Sequence, residues 1–295
     1  MYNIISDTHS LSNMNSHLET IKNRIGDKSK FSKHRGVISI LGDICNDYQY
    51  SKERTKFIEN IEYLNNFYDI IIVAGNNDII SNSMSLIKSD MEHLPMSRFN
   101  IVDNTNKFFY NVYTCPYTNT LLYDLYLYGA VSMKMNNLND EDVKKLLPID
   151  VVEDCPFEDF AMNIEYPLSD TNFTSMLIRE GRSISNIAQP RHILSHSCIP
   201  EAVPNYLKTE YSVFGGNGNG KRFDSVRSAA YATRCESMMK EIFNALCMEI
   251  FLTPDKVPSV WYNGHFHTSS TITLDMPQGN SMLLVGLGLN TLVTI

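Results

Sequence analysis

Three nearly continuous apolar runs each end on a carboxylate or an amide. Tyr2-Asn3-Ile4-Ile5 runs into Ser6-Asp7-Thr8-His9, Gly36-Val37-Ile38-Ser39-Ile40-Leu41 into Gly42-Asp43, and Asp69-Ile70-Ile71-Ile72-Val73-Ala74 into Gly75-Asn76-Asn77-Asp78. Between them the apolar period lengthens. Met14, Leu18, Ile21 and Ile25 predict an amphipathic helix over 13–25, and Phe57, Ile61 and Leu64 another over 52–67. A third helix is expected at 82–93. Apolar strands alternating with helices imply a parallel sheet covered by helices. In such sheets a site forms outside the C-terminal ends of the strands. Asp7, His9, Asp43 and Asn76 are therefore expected on one rim.

The later chain changes pattern. Tyr, Phe and Leu alternate or cluster over 107–133 around turn residues Pro116 to Asn119, which predicts an antiparallel strand pair. Arg191-His192-Ile193-Leu194-Ser195-His196 again ends an apolar run on a histidine. A long helix is expected over 224–247, and short strands at 259–262, 270–274, 281–286 and 290–294. Within Tyr262-Asn263-Gly264-His265-Phe266-His267 the two imidazoles stand two positions apart, on one face of extended chain. Gly264 lets the backbone turn sharply or approach another group closely. The chain is expected to be one domain over 1–295, with an insertion at about 134–190. That segment is polar and aperiodic, and reads either as a solvated surface insertion or as a lid over a pocket.

Composition excludes several classes. With 43% hydrophobic and 20% charged residues the chain reads as globular rather than disordered. A net charge of −8 argues against a broad nucleic-acid surface. No apolar run reaches membrane-spanning length, and no secretory leader is expected. Six cysteines without a Cys-x-x-Cys pair read as reduced thiols of a cytoplasmic protein.

The polar residues at strand ends are Asp7, His9, Asp43, Asn76, His196, His265 and His267. Mixed carboxylate and imidazole donors suit Mn, Fe or Zn. Seven donors are too many for one ion with open positions, and suit two ions sharing a carboxylate. In order and spacing, Asp7-Thr8-His9, Gly42-Asp43, Gly75-Asn76-Asn77-Asp78, His196 and Gly264-His265-Phe266-His267 resemble the motifs of the calcineurin-like metallophosphoesterase superfamily. The resemblance spans nearly the whole chain. It implies an α/β fold, an αββα sandwich of two mixed sheets with helices on the outer faces. It also implies that Asp7, His9, Asp43 and His267 hold one ion and that Asp43, Asn76, His196 and His265 hold the other. The implied activity is phosphoester hydrolysis, with hydroxide formed on the ions attacking phosphorus in line.

One position departs from the family. Asn77 stands where the family usually has a histidine that protonates the leaving oxygen, with Asp78 in the place of the acid that orients it. An amide cannot give up a proton at useful pH. Three readings stay open: a substrate with a good leaving group, another acid such as His93 or His192, or a catalytically weak protein that uses its metal site for binding. Some branches of the superfamily carry Cys or Arg here, which favours a phosphodiester or pyrophosphate over an alkyl phosphomonoester. A protein phosphatase or a nuclease of the same fold is the alternative. The expected substrate is small or nucleotide-like, with no membrane partner.

Gly215 to Lys221 matches the glycine and lysine spacing of a P-loop, but Arg222 replaces the magnesium-binding hydroxyl. The stretch reads either as a mobile surface loop or as a loop offering Lys221, Arg222 and Arg227 to a substrate phosphate. Trp261 and the tyrosines between Tyr110 and Tyr128 read as packing, and His17 and His34 receive no role.

Overall fold

In the computed structural model, residues 1–25, 36–103, 106, 108–115, 119–127, 190–199, 243–244 and 258–295 are described. The three apolar runs become β1 (Tyr2–Ser6), β2 (Gly36–Leu41) and β3 (Tyr68–Val73), adjacent and parallel. β4 (Phe99–Val102) continues the parallel series beyond β3. The last strand, β11 (Thr291–Thr294), returns to the other edge and pairs antiparallel with β1. The first sheet thus has the order β11-β1-β2-β3-β4.

Helices fill the crossovers. α1 (Leu11–Arg24) begins two residues earlier than its apolar period predicts, because the Ser10 side chain accepts from the Asn13 N–H and caps it. It buries Leu11, Met14, Leu18 and Ile21 and lies against α2 (Arg54–Asn65). The helix expected at 82–93 is shorter, α4 (Ser83–Asp90), and is preceded by α3 (Asn76–Ile80). Asn82, in the left-handed region at φ 60°, separates the two.

The second sheet has the order β5-β6-β7-β8-β10-β9. β5 (Phe108–Thr114) and β6 (Leu121–Leu127) form the expected antiparallel pair. β7 (Pro190–Ser195), β8 (Val260–Asn263) and β10 (Ser281–Gly286) add in parallel, and β9 (Ser270–Asp275) closes the edge antiparallel to β10. The result is a sandwich of two mixed sheets, with α1 to α4 serving the first. The ring centroid of Phe243 lies 6.2 Å from that of the fully buried Trp261 of β8.

The sheets meet through apolar side chains and one hydroxyl cluster. Ser39 interrupts the apolar run of β2 because its Oγ lies 3.0 Å from Tyr2 OH and 2.7 Å from Tyr126 OH, across the sandwich. Cys45 and Cys198 are buried in the core, and Cys115 is half-buried. Burial, with the Asp78 charge second, pushes the Cys45 thiol up to about 12. No described helix is long and apolar enough to cross a membrane. The expected insertion, apart from Pro190, lies outside the described residues, as do the glycine-rich loop and nearly all of the expected 224–247 helix.

Candidate metal centre

β1, β2, β3, β7 and β8 each hand a polar terminus to the same rim. Asp7 and His9 follow β1, Asp43 follows β2, Asn76 opens α3 after β3, His196 follows β7, and His265 and His267 follow β8. The structure brings all seven together. His9 Nε2 and His267 Nε2 are 2.8 Å apart, His196 Nε2 is 3.0 Å from Asn76 Oδ1, and His265 Nδ1 is 3.2 Å from His196 Nε2.

Two groups of donor atoms emerge, one from Asp7, His9, Asp43 and His267, the other from Asp43, His196 and His265, each with its ligand atoms within 4.8 Å of one another. A divalent ion about 2.1 Å from each donor spaces its ligands at roughly 3–4 Å, so both groups have the size of an ion site. Asp43 belongs to both. Its Oδ2 lies 3.8 Å from His9 Nε2 and its Oδ1 lies 3.6 Å from His196 Nε2, so one oxygen faces each group.

Surrounding atoms prepare the donors. His196 Nδ1–H donates to the Leu41 carbonyl at 2.8 Å, which leaves Nε2 as the basic nitrogen. Burial first, then the neighbouring imidazoles, holds the His265 pKa well below the usual histidine range, so its ring is neutral and able to ligate at physiological pH. The Asp7 carboxylate accepts from the His265 backbone N–H at 3.0 and 3.1 Å and from the Ser6 hydroxyl. Thr8, between Asp7 and His9, donates to the Ile44 carbonyl at 2.8 Å and ties the first loop to the second. Ser6 and Thr8 were missed as site residues; the signal was a hydroxyl at the end of an otherwise apolar strand.

Backbone strain collects here. Asp7, His9, Asp43, His265 and His267 stand at φ 50°, 51°, 50°, 70° and 52°. The left-handed region costs a non-glycine residue on the order of 1 kcal/mol or more, so surrounding contacts must hold these turns. Gly264 does not itself turn left-handed. Its role is close approach: a Cβ there would overlap Ser6 Oγ and the Asp7 carboxylate. Gly264→Ala is therefore expected to lower the stability of the metal-free protein by about 1–3 kcal/mol and to weaken ion binding at the Asp7 group. Urea unfolding and Mn titration read the two effects, and an alanine variant matching wild type in both contradicts the close-approach role.

A family model described as calcineurin-like phosphoesterase matches residues 3–176, more than half of the chain. The chain belongs to the calcineurin-like phosphoesterases. The family implies metal-dependent hydrolysis of phosphate esters, and the two donor groups supply candidate ligands for its divalent ions. No curated protein matches the chain.

Asn77 and Asp78, which stand where the family usually has its acid histidine and that residue's partner, are both hydrogen-bonded to the strand-end loops. The Asn77 amide does not stand as a free donor for a leaving group. Its Nδ2 donates to Asp43 Oδ2 at 2.6 Å and its backbone N–H donates to Asp43 Oδ1 at 3.0 Å. Asp78 accepts from the Gly75 N–H at 3.0 Å, the Ile44 N–H at 2.8 Å and the Cys45 N–H at 3.4 Å, pinning the second and third loops together. Complete burial, with the Asp43 charge second, pushes its carboxyl up to about 8. The two histidines weighed as substitute acids are both engaged elsewhere. His93 pairs with Glu62 at 2.9 Å, both side chains exposed. His192 is buried against Asp124, four residues and so about 13 Å along the strand from His196. His17, given no role, has its Nε2 2.8 Å from Asn290 Oδ1. His34, Lys221, Arg222 and Arg227 lie outside the described residues.

Proposed function

We propose that the protein is a dinuclear metal-dependent phosphoesterase that cleaves phosphodiesters or pyrophosphates rather than alkyl phosphomonoesters. One ion is held by Asp7, His9, Asp43 and His267 and the other by Asp43, Asn76, His196 and His265, with Mn, Fe or Zn as the matching metals. When bound, two such ions offset the developing phosphoryl charge and acidify a water. Asp43 faces both donor groups with separate oxygens, which supports its role as the shared ligand. The Asn77 contact carries the substrate preference. Its amide braces Asp43 and has no proton to give, so the leaving group must depart without acid help from this position. A diester with a stable leaving group, or a pyrophosphate, meets that condition. The substrate is small or nucleotide-like, in keeping with the net charge of −8. Reduced cysteines fit a cytoplasmic setting.

The Mn-loaded protein is expected to hydrolyse a bis-aryl phosphate at least about 100-fold faster than glycerol phosphate, the range an absent general acid costs. Asn77→His is expected to raise the glycerol phosphate rate by at least tenfold while leaving the diester rate within a few fold. Glycerol phosphate turned over as fast as the diester by wild type would sink the substrate preference. Absence of both bound metal and turnover would sink the enzyme reading.

A further inference from the structure

Asp124 on β6 and His192 on β7 face each other in register. Both are buried, at 0% and 4% exposure, and His192 Nδ1 lies 2.8 Å from Asp124 Oδ1. The second carboxylate oxygen, Oδ2, is buried without a hydrogen-bond partner among the described residues. A buried polar oxygen in that state is costly, and two apolar side chains would fill the same space without the cost. Packing alone does not account for the pair.

The contacts of the His192 ring suggest what does. It stacks on Tyr2 of β1, with centroids 5.5 Å apart and planes at 22°, and packs against Tyr262 of β8 at 5.7 Å and 58°. Tyr2 belongs to the first sheet; His192 and Tyr262 belong to the second. One imidazole therefore touches the strand that ends at Asp7 and His9 and the strand that ends at His265 and His267. Its own strand ends at His196, and residues 192, 194 and 196 share one face. Each donor group draws on both sheets: Asp7 and Asp43 come from the first, His196, His265 and His267 from the second. The spacing of the two sheets is thus also the spacing of the ligands.

We infer that Asp124 and His192 form a positioning pair for the metal centre. Asp124 holds the His192 ring in one rotation, and the ring sets the separation of β1 from β7 and β8, and through it the distance between the two ion sites. This rests on the dinuclear reading proposed above.

The test is titration of Mn into the full chain, read by calorimetry and by the exchange-coupled electron paramagnetic resonance signal of paired Mn ions. Wild type is expected to bind two coupled ions, and Asp43→Asn to show no coupling. The double variant His192→Leu with Asp124→Leu replaces the pair by apolar groups and removes the spanning ring, so its metal-free unfolding midpoint stays close to wild type. It is expected to bind at least one ion about tenfold more weakly, with a changed coupling. Asp124→Asn, whose Oδ1 still accepts from the ring N–H, restores binding towards wild type. If the double variant does not fold, His192→Gln, which keeps a donor to Asp124 but lacks the spanning ring, is expected to show the same loss. Wild-type affinity and coupling in the folded variant lacking the ring overturn the positioning role alone. Wild type without any coupled signal overturns the dinuclear reading and this inference with it.

Discussion

Asp43→Asn is expected to lose on the order of a thousandfold in phosphoester hydrolysis and yet to yield a more stable metal-free protein. The loss follows from the two oxygens of Asp43, one facing each donor group. An amide offers a single ligand oxygen and no charge, so the shared position fails. The gain has two sources. Asp43 stands in the left-handed region at φ 50°, a conformation that asparagine tolerates well. Its charge is also buried beside the buried Asp78 carboxyl, whose pKa it helps to raise. Removing the charge makes ionising the buried Asp78 less costly, and the Asn77 amide can turn to meet the new side chain. A gain of about 1–2 kcal/mol in urea unfolding of the metal-free protein is expected, the usual trade between a strained site and stability. A variant that keeps wild-type turnover refutes the shared-ligand assignment; one that is inactive but less stable refutes the account of strain and costly ionisation.

Asp78→Ala is expected to be the most destabilising single change in the described rim. Three backbone N–H groups, of Gly75, Ile44 and Cys45, converge on its carboxylate in a fully buried setting. Alanine leaves all three without that acceptor, at about 1–3 kcal/mol each, so a total of at least about 3 kcal/mol is expected. Asp78→Asn keeps one acceptor and should fall between. Since whole domains are stable by only about 5–15 kcal/mol, the alanine variant sits near the edge of folding. The predicted loss is in stability more than in chemistry: the residual folded fraction should still bind Mn, because Asp78 is not among the candidate ligands. Denaturant unfolding within about 1 kcal/mol of wild type would contradict the pinning role.

Most of the candidate metal centre was legible in the chain because its signals are local. A parallel strand buried on both sides is an unbroken apolar run, and the residue after it lies on the rim whatever the rest of the fold does. Asp7, Asp43, Asn76, His196 and the His265–His267 pair were all visible in this way. Sheet order was less legible. Nothing local says that β10 inserts between β8 and β9, or that β11 crosses back to pair with β1, since strand periodicity shows a face and never a neighbour. The division of 76–90 into α3 and α4 was hidden for a related reason: Asn82 supports a left-handed turn only where the flanking helices require one.

What the amino-acid sequence determined by itself is the family, through its motifs, the two-sheet class that the resemblance implies, and the set of candidate donor side chains, because motifs are read from residue type and spacing. What only the tertiary structure decided is how those groups are used. The Asn77 amide turns to Asp43 rather than outwards, Asp78 collects N–H groups from two loops, and Asp124 meets His192 across two strands. Each is a choice of hydrogen-bond partner between residues distant in the chain. Such choices are made by the positions of buried backbone and side-chain groups that all need partners at once.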